Sequence, residues 1–144
     1  MPYYRCLIPK NSLDLDQRSR IAKAFTDVHC GISAAPKSFV HVAFLEVDGS
    51  GSIADSHGSG MLEYQTPYFV AGGNRAGRSQ EVREQILNGL IACLSEIASV
   101  STEDVSGHIS EVPASWTMEG GQVLPEPGEE SAEWYGQGSA PNAS

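Results

Sequence analysis

Apolar residues recur along this chain with two alternating periods, which predict strands and helices in the order β-α-β, twice. Residues 2–9 are rich in aromatic and aliphatic side chains, and residues 38–47 in β-branched and aromatic ones, so both are predicted strands. Between them, apolar residues three and four positions apart predict a helix that runs to about His29 and ends at Gly31. Its apolar stripe consists of Ile21, Ala24, Phe25, Val28 and Ile32.

The second half of the chain repeats this order. A strand is predicted for residues 66–72, a turn for Gly73-Asn74, a helix for residues 79–98 and a short strand near 106–112. The helix starts have recognisable caps: Asp14 and Gln17 are spaced as in a capping box, and Ser79 suits an N-cap. The second helix has its own apolar stripe, formed by Val82, Ile86, Leu90, Leu94 and Ile97.

Two consecutive β-α-β units predict an α/β fold with both helices packed on one face of a sheet. The chain has too few residues to cover the other face, so we expect further copies of the protein to bury it. A length of 144 residues suits one domain, which we assign to residues 1–128. Residues 129–144 are rich in Glu, Gly, Ser and Pro and predict a mobile acidic tail.

The charge of the chain limits its partners. A net charge of −9 opposes binding to nucleic acid and to anionic membranes, so an anionic ligand must be captured locally. No apolar run is long enough for a membrane helix and no secretory signal is visible, so we expect a cytoplasmic protein. Three cysteines without CxxC spacing argue against a disulfide framework or a zinc site. The cysteines therefore give no indication of a metal site.

Proline follows the initiator methionine. Removal of Met1, which we expect, would expose the secondary amine of Pro2. An α-amino group titrates near ~7.7–8.0, so such an amine can act as a base or as an acid around neutrality. Proline is also common at this position because it permits methionine removal, so Pro2 alone does not indicate catalysis.

Two arginines lie in a glycine-containing turn before the second helix. Arg75 and Arg78 would converge there with the free N–H groups of the helix start, an arrangement that suits a carboxylate ligand. The simpler alternative is a solvated arginine pair on the surface.

Three motifs occur in order along the chain: TDVHCG at residues 26–31, NRAGRS at 74–79, and a stretch over 111–128 that contains MEGG and LPEPG. Together, over roughly residues 2–128, they resemble the cis-3-chloroacrylic acid dehalogenase family of the tautomerase superfamily. The resemblance implies a homotrimer, a mixed sheet with helices on one face, and hydration or hydrolytic dehalogenation of small unsaturated carboxylates without a cofactor.

The resemblance also implies roles for individual residues. Matching positions hold Pro2, His29, Arg75, Arg78 and Glu119, while His108 stands where the family has a tyrosine. In the implied hydratase the arginines hold the substrate carboxylate, Glu119 with His108 activates water, and protonated Pro2 returns a proton to carbon. Each residue also has a simpler explanation: His29 could be a cation at a helix end, and Glu119 and His108 could face solvent.

Two other functions stay open. In a keto–enol tautomerase of a 2-oxo acid such as phenylpyruvate, Pro2 would be neutral and act as a base, the opposite of the hydratase requirement. Alternatively, the change at His108 marks a homologue with a specialised biosynthetic or binding role and little hydratase activity.

Overall fold

The computed structural model describes residues 2–47 and 66–134, and these form two β-α-β units followed by a short hairpin. The bounds are β1 Tyr3–Pro9, α1 Leu15–Ser33, β2 His41–Val47, β3 Tyr68–Arg75, α2 Gln80–Ala98, β4 Val105–Val112, β5 Met118–Glu119 and β6 Gln122–Val123.

The four long strands form one sheet in the order β2-β1-β3-β4. Within each unit the strands are parallel, as crossover helices require, whereas the central pair β1 and β3 is antiparallel. The predicted α/β fold with a mixed sheet is confirmed. Its core lies between the sheet and the helices, where β1 contributes Tyr4, Cys6 and Ile8.

The two helices bury side chains at matching intervals of four residues. From α1 these are Ile21, Phe25 and His29, and from α2 they are Ile86, Leu90 and Leu94. The helices approach each other closely at Gly89, where an added Cβ would lie 2.7 Å from Cγ1 of Val28.

Both predicted helix starts are confirmed. Asp14 and Gln17 form a reciprocal capping box, and the Ser79 hydroxyl accepts from the N–H of Val82. The predicted end of α1 is wrong: the helix passes Gly31 and continues to Ser33, where Ala34 takes a left-handed conformation with φ 57°. The extra turn is stabilised by Ile32, which packs against the core and outweighs the low helix propensity of glycine.

Two other predicted boundaries also move. β3 does not turn at Gly73-Asn74 but runs through Arg75, because it stays paired with β4 as far as Arg75 opposite Val112. β2 begins at His41, later than expected, because a single 3₁₀ turn over Lys37–Phe39 precedes it.

The sheet face opposite the helices is not covered by the described residues. Tyr3 and Leu45 are both more than two-fifths exposed there. A groove of about 250 Å³ runs across this face and is lined by Arg5, Leu7, Leu45, Phe69, Ala71 and His108. This uncovered face is the one that the sequence assigns to contacts between subunits.

The chain after Gly128 packs against the body as far as the structure describes it. Trp134 contacts Phe39 at a ring-centroid distance of 4.6 Å, and Glu130 pairs with Arg75. The packed part of the chain thus extends beyond the predicted boundary at residue 128, and residues 135–144 of the predicted tail lie outside the described part. Within residues 2–47 and 66–134, neither helix is long and apolar enough to cross a membrane.

Candidate active site

Pro2 stands directly before β1 and is fully buried. Its carbonyl accepts the N–H of His41 at 3.1 Å, which holds it beside β2. Side chains alternate along a strand, so Pro2 shares the helix-covered side with Tyr4, while Tyr3 faces the opposite side. The pairing of Tyr3 with Gly73 sets Pro2 across from Asn74 on β3.

Tyr4 and His29 form a buried pair between β1 and α1. The Tyr4 hydroxyl lies 2.6 Å from Nδ1 of His29, and both side chains are fully buried. Burial lowers the pKa of His29 to about 3, helped by the positive charges of Arg78 and Arg75. Burial also raises the pKa of Tyr4 far above its usual value, against smaller opposing effects of Asn74 and Arg78.

These pKa shifts define the protonation of the pair. Tyr4 keeps its proton and His29 is neutral, and we assign the phenol O–H as the donor to Nδ1 because it is the stronger acid of the two groups. His29 then carries its own proton on Nε2, and that atom is buried without a partner among the described residues. His29 is therefore not the helix-end cation considered from the sequence.

Asn74 adds a second buried polar group without a partner. Its side chain is 1% exposed, and neither Nδ2 nor Oδ1 has a hydrogen-bond partner among the described residues. It reaches this position because β3 continues through residue 75, so that Asn74 points to the helix-covered side.

Arg75, the last residue of β3, is held by the C-terminal part of the described chain. Its guanidinium donates to the Pro125 carbonyl at 2.6 Å and to Glu130 at 2.7 Å, and it lies 4.9 Å from the ring centroid of Trp134. Burial alone would raise the pKa of Glu130, but hydrogen bonds from Arg75 and from backbone N–H groups lower it. The charge of Arg75 is thereby compensated within the protein.

Arg78 is half-buried, and its charge is less well compensated than that of Arg75. Its guanidinium donates to the Arg75 carbonyl at 3.0 Å. Burial lowers its pKa, and the nearby charge of Arg75 lowers it further. Of the two arginines, Arg78 therefore gains more from an arriving carboxylate.

The loop between Arg75 and Arg78 is held in place by a residue of β4, Glu111. Gly77 has φ 117°, a backbone conformation that other residues rarely adopt. Its N–H donates to Glu111, which also pairs with Arg83 on α2, and Arg83 in turn donates to the Arg78 carbonyl. These contacts hold the loop in one shape.

The two residues expected to activate water lie elsewhere in the single chain. Glu119 is exposed on the β5–β6 hairpin, next to Gln122, beside a cleft of about 60 Å³ that Phe39 and Trp134 also line. His108 is exposed on the uncovered sheet face, with its ring centroid 5.3 Å from that of Phe69.

One chain thus brings together Pro2, His29, Arg75 and Arg78, and it separates His108 from them by the thickness of the sheet. Sequence reasoning did not identify three further residues, Tyr4, Asn74 and Glu130. Alternation along β1 could have placed Tyr4 with Pro2, because both lie on even positions. Nothing in the sequence indicated that Glu130, twelve residues beyond Met118 in an acidic stretch, returns to Arg75. Among the described residues, no cluster of three or more His, Cys, Asp or Glu side chains could hold a metal ion.

Comparison with solved structures shows what this fold is similar to. The structure titled N1, a member of the cis-3-chloroacrylic acid dehalogenase family, superposes with a TM-score of 0.74 at 24% identity, covering 88% of this chain and 85% of that one. Native Ps01740 gives a TM-score of 0.69 at 32% identity, covering 81% of this chain and 99% of that one. The F6 fused 4-OT wild-type asymmetric trimer gives 0.70 at 14% identity, covering 84% and 94%.

No curated protein sequence matches the chain. A family model does match, over residues 1–139: Tautomerase_3, described as "Putative oxalocrotonate tautomerase enzyme". The match spans nearly the whole sequence, and the superpositions agree with it. The chain therefore belongs to the Tautomerase_3 family.

Proposed function

We propose that this protein is a cofactor-independent keto–enol tautomerase of a small 2-oxo carboxylate, with the secondary amine of Pro2 as the base. The arginines take the carboxylate, and Pro2 moves a proton between the C2 oxygen and C3. The observation that carries the proposal is the buried group of Pro2, Tyr4 and His29 beside Arg78.

The proposal requires a neutral Pro2, and the surroundings favour that state. Positive charges nearby disfavour a protonated amine, and both Arg75 and Arg78 act on this part of the protein. A hydrogen-bond acceptor beside the amine would oppose them, but His29 presents an N–H at Nε2. Glu119, whose carboxylate could accept a hydrogen bond from the amine, is exposed on the hairpin.

We further propose that the active form is a homotrimer. The uncovered sheet face supports this, because it exposes Tyr3 and Leu45 beside an apolar groove. The fused 4-OT neighbour is an asymmetric trimer, which is consistent with such an assembly.

Hydration or dehalogenation of an unsaturated carboxylate is the second candidate. It is favoured by one observation: His108 lies on the uncovered face, where a neighbouring subunit of the proposed trimer would meet it. In this version His108 and Glu119 activate water, and Pro2 must be protonated.

A pair of assays with one set of variants tests both candidates. Purified wild type, Pro2→Ala and Glu119→Gln are compared for ketonisation of phenylenolpyruvate and for hydration of an acetylenecarboxylate and a 3-haloacrylate. We expect ketonisation in the wild type, a large loss in Pro2→Ala and little change in Glu119→Gln. The ketonisation rate should rise with pH as the amine loses its proton, and intact mass should show that Met1 is absent.

Two outcomes would overturn the tautomerase proposal. Full ketonisation by protein that retains Met1 would exclude the amine, because Pro2 nitrogen is then an amide. Hydration that depends on Glu119, in the absence of ketonisation, would establish the second candidate instead.

A further inference from the structure

Three buried polar atoms near Pro2 lack a hydrogen-bond partner among the described residues. They are Nε2 of His29 and both Nδ2 and Oδ1 of Asn74. Buried polar groups are nearly always satisfied, because leaving one unpaired forfeits its bonds to water. A leucine at position 74 would fill a similar volume without that penalty, so the amide calls for a functional explanation.

Both side chains interact with Tyr4 on the helix-covered side of the sheet. Asn74 directly follows Gly73, the partner of Tyr3 at the end of the antiparallel pair β1–β3, so it lies next to the point where Pro2 precedes β1. His29 approaches from α1 and its Nδ1 meets the Tyr4 hydroxyl, which also takes part in a weak polar interaction with Asn74 that lowers the pKa of Tyr4. Both unpartnered groups therefore border Pro2 on the helix-covered side.

The chemistry of these atoms indicates what they would bind. The Nε2–H of His29 and the Nδ2 amide of Asn74 are donors, and two converging donors suit an oxygen that carries or develops negative charge. The carboxylate of a substrate is already assigned to Arg75 and Arg78. These two donors can therefore bind a second oxygen of the same small acid, one that lies next to its carboxylate.

We propose that Asn74 and the Nε2–H of His29 bind the C2 oxygen of a 2-oxo acid, and that Tyr4 is a positioning residue that keeps the His29 proton on Nε2. This inference rests on the proposed tautomerase function and names the group of the substrate that the site recognises. It makes Asn74 a determinant of specificity for 2-oxo acids over simple carboxylates.

The reaction step balances with these groups in place. Neutral Pro2 takes the enol O–H proton, and the resulting enolate oxygen accepts hydrogen bonds from Nε2 of His29 and Nδ2 of Asn74. Protonated Pro2 then delivers the proton to C3. The π electrons of C2=C3 form the new C–H bond, and a lone pair of the enolate oxygen restores the C2=O double bond. While Pro2 is protonated, Oδ1 of Asn74 is available to accept from it.

The test separates binding of the C2 oxygen from binding of the carboxylate. Benzoylformate, a 2-oxo acid that cannot enolise, and phenylacetate, which lacks the oxo group, are titrated by calorimetry into the wild type, Asn74→Leu and Asn74→Ala. The control is Ser95→Ala, which removes a buried hydroxyl of α2 that donates to the Val100 carbonyl, away from the site.

We expect the wild type to bind benzoylformate more tightly than phenylacetate. In both Asn74 variants the affinity for benzoylformate should fall about tenfold, while the affinity for phenylacetate stays the same. Ketonisation of phenylenolpyruvate should fall by at least about tenfold in kcat/KM. Asn74→Leu should also melt at a higher temperature than the wild type, and Ser95→Ala should keep the wild-type preference.

An unchanged preference for benzoylformate in both Asn74 variants would overturn the inference. Equally weakened binding of benzoylformate and phenylacetate would overturn it too, because it would indicate a structural role for Asn74. The proposed function fails separately, through absence of ketonisation in the wild type, since benzoylformate binding does not need turnover. Tyr4→Phe tests the positioning role: without the phenol nothing keeps the His29 proton on Nε2, so the preference for benzoylformate over phenylacetate should fall, and an unchanged preference would exclude that role.

Discussion

The helices of the two β-α-β halves are equally long and bury side chains at the same places, but only the first helix buries an ionisable group there. Each helix has 19 residues, and the seventh, eleventh and fifteenth are buried in both. At the fifteenth position α1 has His29, with Tyr4 as its partner, whereas α2 has Leu94. In α2 this position serves packing alone, whereas in α1 it holds a polar group whose Nε2 has no hydrogen-bond partner among the described residues.

Exchanging the residues at this position should have the largest effect. Leu94→His places an imidazole among aliphatic side chains without a tyrosine, and we expect a loss of about 2–5 kcal/mol in the free energy of unfolding, measured with urea. The double variant Tyr4→Phe/His29→Leu removes both members of the pair, and it should retain stability within about 1 kcal/mol while ketonisation is lost. Equal destabilisation by both exchanges would show that the halves do not differ in this way.

The second prediction concerns the segment that holds Arg75, for which the first half of the chain has no counterpart in the described residues. A chain ending at Gly128 loses Glu130 and Trp134, and we expect about 1.5–3 kcal/mol lower stability, because a charged hydrogen bond to a buried guanidinium is lost. A chain ending at Trp134 is the matched control and should unfold like the full protein. Wild-type stability in the shorter chain would return the boundary to residue 128.

The buried imidazole should also give the first half a pH dependence. The pKa of His29 is about 3 in the folded protein and near 6.5 in the unfolded chain. The neutral imidazole therefore contributes fully to the free energy of unfolding above about pH 6.5, and this contribution is lost as the pH falls toward 3. We expect a loss of about 1.4 kcal/mol per pH unit between pH 6 and 4.5. The double variant Tyr4→Phe/His29→Leu lacks this component, so the difference between the two proteins isolates it from the carboxylates. If the wild type and the double variant lost the same free energy of unfolding between about pH 6 and 4.5, His29 would not be a buried, neutral imidazole.

The smallest effects should come from two helix glycines that differ in their surroundings. Gly31 in α1 has open space around an added Cβ, so Gly31→Ala should stabilise by about 0.5–1 kcal/mol. Gly89 in α2 abuts Val28, and Gly89→Ala should instead destabilise by about 1–3 kcal/mol through overpacking. Thermal denaturation of the two variants side by side measures both, and a shift of the same sign in both would refute the close approach at Gly89.

Local signals in the sequence were sufficient for the architecture. The capping residues Asp14 and Ser79 and the two apolar stripes place both helices within a few residues, since these features act within one or two helical turns. Predictions that depended on a single residue type were less accurate. Gly31 did not end α1 and Gly73-Asn74 did not turn the chain, because packing of Ile32 and pairing of β3 with β4 outweigh local propensity.

The candidate site was only partly accessible from the sequence. Pro2, His29, Arg75 and Arg78 were predicted through a family resemblance, and their roles remain proposals. Long-range contacts have no local signature: the Tyr4–His29 pair spans 25 residues and the Arg75–Glu130 pair spans 55. The pKa of His29 likewise depends on burial and on arginines from another strand, so its neutral state could be recognised only in the folded protein.

Proline also precedes the first strand of the second half, where Pro67 stands directly before β3 as Pro2 stands before β1. Pro67 is exposed, and its nitrogen is part of the peptide bond to Thr66, so it has no basic lone pair. Under the proposed mechanism, each subunit therefore carries one reactive amine although its fold repeats twice, and a trimer would have three catalytic centres instead of six. Titration with an amine-directed inactivator would then end at one equivalent per chain, and the second half contributes substrate-binding residues but no reactive amine.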